Sequence, residues 1–226
     1  MLRIAFVTIC IFFSSLLYAQ YDAACFNSTK DEILLAIKSV KPDTIHYPIK
    51  DTIEMTDGTK RYRDTTLVMV KGFDVNPMVR KIVGCKMPDF NFFNINKQEM
   101  TVYGISSDFT IICFSSTTYG DVCNAHLHQF CRMKDELKDS LTVLNIFEDP
   151  DTKVIEYSKN FKDNVEYIAN ADLLQYSYAM NLGALIYVLD KYKNIIYVKS
   201  GQSYVDTPDE IYTELMDKIR AYSCKD

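Results

Sequence analysis

The 226 residues contain no tryptophan, no cluster of lysine and arginine, and only one apolar run that could concern a membrane. Each absence closes a class of function. With 25 Lys and Arg against 30 Asp and Glu, a formal charge of −5 and a pI near 5.3, the chain has no basic face for nucleic acid. The single apolar run lies at the start, within Met1–Ala19. Arg3 supplies a basic beginning, Ile4 to Phe13 an apolar centre, and Leu17-Tyr18-Ala19 a small-residue site before Gln20. Its apolar centre is shorter than the roughly 20 residues of a span, so the pattern predicts a signal peptide over 1–19. The expected product is exported, periplasmic or extracellular, without an integral membrane segment. Internal repeats and low-complexity stretches are also missing, so the chain reads as one good core with a smaller flanking unit.

What is present is tyrosine and cysteine. Sixteen tyrosines punctuate strands and helix faces, where packing accounts for them without a ligand. Of seven cysteines, Cys10 falls in the signal, leaving Cys25, Cys85, Cys113, Cys123, Cys131 and Cys224. An even number in an oxidising compartment permits disulfides, with fifteen possible connectivities. Cys25, Cys85 and Cys224 are the expected participants, and their partners stay open. Asn27-Ser28-Thr29 fits the glycosylation acceptor pattern, which matters only in a eukaryotic secretory pathway.

The periodicity divides the rest. Ser28 or Thr29 can cap a helix from about 30 to 40, with Ile33, Leu34, Ile37 and Val40 at helical spacing and Pro42 beyond its end. Residues 51–55 and 63–70 are β-rich and flank Asp57-Gly58, a hairpin signal. From Gly84 onward strand and helix alternate. Strands are expected near 102–103 and over 110–114, 142–147, 185–189 and 195–199. Helices are expected over 121–138, 152–160 and 208–222, with a short one at 173–180. Lys134 to Asp139 alternates in sign and reads as a solvated helix face.

The segment Phe109 to Met133 frames a site. An apolar strand, Phe109 to Phe114, leads through a short polar loop into a helix carrying Cys123 near its first turn. Gly84-Cys-Lys-Met-Pro-Asp-Phe90 matches a "G-x-x-x-P-D-F" opening. Cys123-Asn-Ala-His-Leu-His-Gln-Phe130, Leu141 to Phe147, Gly183 to Asp190 and Ile195 to Gly201 follow in order. In this order the chain from Gly84 to Tyr222 resembles the extracytoplasmic thioredoxin-like thiol-disulfide reductases. The resemblance implies an α/β fold, a thioredoxin-like mixed β-sheet sandwiched by helices. It would occupy residues 84–226, with residues 20–83 as an N-terminal helix-plus-hairpin extension.

The same resemblance implies a Cys-x-x-Cys, in which one sulfur attacks a disulfide and the other resolves the mixed disulfide. Here Gly120 stands at the attacking position and Cys123 at the resolving one. Ala184 stands where the family's substrate-docking cis-proline belongs. Both losses point to a protein without dithiol activity, acting as a binding or structural module whose partner is another exported protein. The alternative is a monothiol oxidoreductase or peroxidase using Cys123 with His126, one turn along the helix, as base. The one-cysteine peroxidases, however, carry threonine where this chain has Gly120.

Read without the resemblance, Cys123 shares an apolar stripe with Leu127, Phe130 and Cys131, as a buried thiol or disulfide partner would. The string Cys123-x-x-His126-x-His128-x-x-Cys131 resembles a metal motif. On one helix Cys123 and Cys131 lie two turns, roughly 12 Å, apart, so the four side chains cannot converge on one ion. His126 and His128 are then expected to be solvated, and no metal or cofactor is called for.

Overall fold

A computed structural model describes residues 24–36, 44–54, 60–70, 76–119, 121–161, 164–171, 174, 178, 185–200 and 208–223. Its centre is β5 (Phe109–Ser115), a strand in which all seven residues are buried. Such a run has no solvent face, so its neighbours must cover it on both sides and both edges. At the edges β5 pairs parallel with β6 (Leu141–Phe147) and antiparallel with β8 (Leu185–Asp190). The strands β7 (Glu166–Ile168) and β9 (Ile195–Ser200) complete a mixed sheet in the order β7-β6-β5-β8-β9. The expected strands at 110–114 and 142–147 therefore lie side by side in one sheet.

Alternation along the strands splits the core into two layers. Ile111, Cys113, Val143, Phe147 and Val188 face α3 (Asp121–Leu137) and α5 (Pro208–Ser223), meeting Leu127, Phe130, Leu215 and Ile219. Ile112, Phe114, Leu144, Tyr187 and Val198 face the other way. That second face is covered by α1 (24–36), through Phe26 and Ile33, together with Val79 and Ile82. Val79 ends α2 (Asn76–Val79) and Ile82 the 3-10 turn after it. Gly84, at φ 94° where a side chain would be strained, then donates its amide to the Ile195 carbonyl at 2.8 Å. This ties the entering chain to the sheet edge. Between residue 36 and α2 lie β1 (Thr44–Glu54) and β2 (Lys60–Val70), antiparallel partners of each other in a two-stranded sheet of their own. Among the described residues no helix is long and apolar enough to cross a membrane.

Several expectations need correction. The first helix already includes residue 24, ahead of the expected start at 30, and Ser28 lies inside it. Its hydroxyl donates back to the Cys25 carbonyl (3.2 Å), an alternative to the capping role its position suggested. Ile37 and Val40 lie outside the described residues, as do Asp57-Gly58, Pro42 and most of 173–180, where Leu174 and Tyr178 are helical. The flanking hairpin strands are longer than their β-rich segments. The strand expected near 102–103 is β4 (Glu99–Thr101), paired with β3 (Asn91–Phe93), and it has ended by Val102. There the Thr101 hydroxyl accepts from the Gly104 amide at 2.8 Å, closing a turn.

The β8–β9 hairpin turns over 190–194 as expected. The Asp190 carboxylate accepts from the Tyr192 and Asn194 amides, the Asn194 side chain and the Tyr222 hydroxyl, all within 2.9 Å. Lys193 is buried and donates to the Ile105 carbonyl at 2.7 Å; burial lowers its pKa. The solvated-face reading of 134–139 also needs amendment. Lys134 is half-buried and donates to the Lys138 and Leu141 carbonyls, while Glu136 pairs with Arg220 of α5.

A second clamp joins β9 to α5. Buried Lys199 reaches Glu214 at 2.7 Å, with Arg80 at 3.7 Å from the same carboxylate. Burial pushes the Glu214 pKa up, but Lys199, Tyr197 and the charge of Arg80 together outweigh it, so the net shift is below the ordinary 4.5. A depressed carboxylate adds stability above its unfolded pKa and loses it as pH falls through the folded one. Stability should therefore fall on acidification below about pH 4.5, and Glu214→Gln should flatten that part of the urea-midpoint profile. In the second layer, Phe26→Ala should cost about 3–5 kcal/mol in urea unfolding. Leu35→Ala, on the exposed side of the same helix, should stay within about 0.5 kcal/mol.

Candidate functional site

The candidate site is built where β5 delivers the chain to α3. Ser115 and Ser116 close the strand, each 2% exposed, and residues Thr117–Tyr119 form one 3-10 turn before the helix begins at Asp121. Buried hydroxyls and loop amides need partners. One carboxylate supplies them. Asp149, 6% exposed between β6 and α4 (Asp151–Ser158), accepts from the Ser116 hydroxyl (3.0 Å), the Thr117 amide (2.7 Å) and the Thr117 hydroxyl (2.8 Å). Lys153 stands 4.0 Å away, and the Asp149 carbonyl receives the Asn170 amide. Ser116 in turn holds the Thr118 hydroxyl at 2.9 Å. The loop is thus fixed by charge-assisted hydrogen bonds to a neighbouring loop, added to its own Ser116–Thr118 contacts.

Cys123 occupies the third residue of α3, in the first turn, where the helix partial charge favours a thiolate. Its side chain, and all of Gly120 and Ala184, lie outside the described residues. His126 does not, and it departs from expectation. Predicted to be solvated, it is 4% exposed, on the helix side that carries Leu127, Phe130, Cys131 and Met133. Its ring lies 6.4 Å from that of Phe130. His128 is the exposed one, against Phe161 at 4.8 Å. Residues two apart on a helix point to different sides, so these two imidazoles do not meet. Among the described residues no group of three or more His, Cys, Asp or Glu converges as a metal site would require.

The other sulfurs are accounted for by position. Cys113 and Cys131 are buried thiols in the layer under α3. Cys25 and Cys85, two of the three expected participants, form a disulfide on the opposite side of the sheet. Cys224 lies outside the described residues.

Among solved structures the chain superposes on a protein described as a thiol:disulfide interchange protein, DsbE, from Chlorobium tepidum. The TM-score is 0.53 at 12% identity, covering 62% of this chain and 96% of that one. It also superposes on the peroxidoxin BcpB of Mycobacterium tuberculosis, with a TM-score of 0.52 at 16% identity and the same coverage. The fold is thioredoxin-like. No protein-family model matches the chain, and no curated protein matches it in sequence. At such identities the thioredoxin-like likeness fixes the path of the chain and leaves the chemistry to the residues.

Asp149 is the residue that sequence reading passed over. Its only local signal is a hydroxyl run, Ser115 to Thr118, with no nearby acceptor; the acceptor sits 33 residues away. Replacing Asp149 by alanine takes this acceptor from the buried Ser116 hydroxyl and from the hydroxyl and amide of half-buried Thr117. It should cost about 2–4 kcal/mol in urea unfolding and speed amide exchange across 116–119, while β5 keeps its protection.

Proposed function

We propose that this chain is an exported thioredoxin-like protein that has lost dithiol chemistry and works by binding another exported protein. The observation that carries the reading is Gly120, which stands where the thioredoxin-like pattern needs its attacking sulfur. Without it Cys123 has no partner three residues away, and a mixed disulfide formed there could not be resolved within the motif. Ala184 at the docking-proline position removes the edge on which an extended substrate strand is received.

The environment of the loop supports this. Its polar groups are committed to Asp149, a scaffold that holds shape, and His126 is packed into the core beside Phe130 rather than standing at the surface as a base. Export is supported by the signal pattern of residues 1–19 and by the Cys25–Cys85 disulfide, a bond that persists in oxidising compartments. Both similar structures carry thiol or peroxide chemistry in their names, and that chemistry would reach this chain only through Cys123. A monothiol oxidoreductase or peroxidase is accordingly the rival, favoured by the place of Cys123 in the first turn of α3.

The two readings part on the reactivity of one sulfur. Alkylation of Cys123 followed against pH, in a variant whose other thiols are masked, should show a slow reaction with no thiolate titrating below about pH 8. A fast reaction with a midpoint well below neutrality would establish the enzyme reading instead. Exchange of Cys123 for serine should leave stability within about 1 kcal/mol.

A further inference from the structure

The disulfide does more than join two distant residues. Helix α1 covers one face of the sheet, yet its chain connection to that sheet runs through 44–70, a hairpin that pairs only with itself. Among its described residues, 24–36, only Phe26 and Ile33 are buried, and a helix draws most of its stability from such tertiary packing. Its hold on the core is made by Phe26 and Ile33 with partly buried Leu34 beside them, the Thr29 hydroxyl 3.9 Å from the Cys85 sulfur, and one covalent bond, Cys25 to Cys85, spanning 60 residues. The Phe26 side chain enters an aromatic socket. Its ring lies 5.6 Å from Tyr178 and 6.4 Å from Tyr187. Behind Tyr178 stand Phe90, at 4.8 Å, and Phe114, stacked at 6.4 Å. The Tyr187 hydroxyl donates to the Tyr178 carbonyl at 2.7 Å, so the wall of the socket is fixed without help from α1.

We propose that the Cys25–Cys85 disulfide is a redox latch. Closed, it holds α1 over the aromatic socket. Reduced, it releases α1 and opens the socket to an amphipathic helix that presents an aromatic side chain. The exposed end of the bond is Cys25, while Cys85 is buried. A dithiol reductant attacks Cys25 Sγ, the S–S electron pair leaves on Cys85 Sγ, and that sulfur takes a proton. The reductant's second thiol then attacks its own sulfur in the mixed disulfide and releases Cys25 as a thiolate, which takes up a proton. Two cysteines are reduced and the dithiol is oxidised to a cyclic disulfide. The latch works whether or not Cys123 reacts, so it stands apart from the function proposed above.

Hydrogen exchange on the full-length protein, oxidised and after dithiothreitol, tests this directly. Amides of residues 24–36 should exchange at least about tenfold faster on reduction, the scale expected when a loop-closing disulfide is lost, while β5 and β8 keep their protection. A Cys25→Ser/Cys85→Ser protein should behave as the reduced form does. A labelled peptide of residues 24–36 carrying Cys25→Ser should bind the reduced protein and not the oxidised one. Unchanged exchange in α1, protection lost throughout the sheet, or a reduced protein that takes up no peptide would each overturn the proposal.

Discussion

The described five-stranded sheet is arranged around a strand that cannot touch water. All seven residues of β5 are buried, so the chain must supply a partner on each edge and a layer on each face. The edges are met by β6 and β8. The first face is met locally, by α3 directly after β5 and by α5 after the last hairpin. The second face is met partly by segments near its strands, through Val102, Ile105 and Ala171, and partly from far upstream, by α1 and the turn around Val79 and Ile82. For α1 the distance along the chain is what makes the Cys25–Cys85 bond useful. A disulfide restricts the unfolded chain more as the loop it closes grows, so a sixty-residue separation is where it contributes well.

The same burial explains what could be read without coordinates. Strands apolar on both faces, such as Phe109–Ser115 and Leu141–Phe147, announce themselves by composition, and Pro208 marks the start of α5. The three-residue strands β3, β4 and β7 are too short to show a period; β3 and β4 are held by pairing with each other across a short turn, and β7 by pairing with β6. Ser28 and Thr29 looked like a helix start because they are good capping residues. In the fold Cys25 is already helical, and Ser28 is spent on a bond inside the helix. His126 was misjudged for a related reason: polar residues are assigned to water by default, and this one joins an apolar stripe.

At the site, legibility stopped at the level of spacing. The strand-loop-helix frame and the first-turn position of Cys123 follow from the sequence pattern and are found in the fold. The hold of Asp149 on Ser116 and Thr117 was not visible, because a buried carboxylate that organises another loop leaves no local trace. That hold gives the frame a rigid mouth, while Gly120 denies it a second sulfur. On the function proposed above, this frame is kept for its shape.

The central claim is therefore a claim about turnover. Reduction of a test disulfide peptide should be followed with a dithiol reductant and catalytic amounts of the full-length protein. The account predicts the rate of reductant alone, unaffected by Cys123→Ser. A rate clearly above that background, abolished by the same substitution, would contradict it.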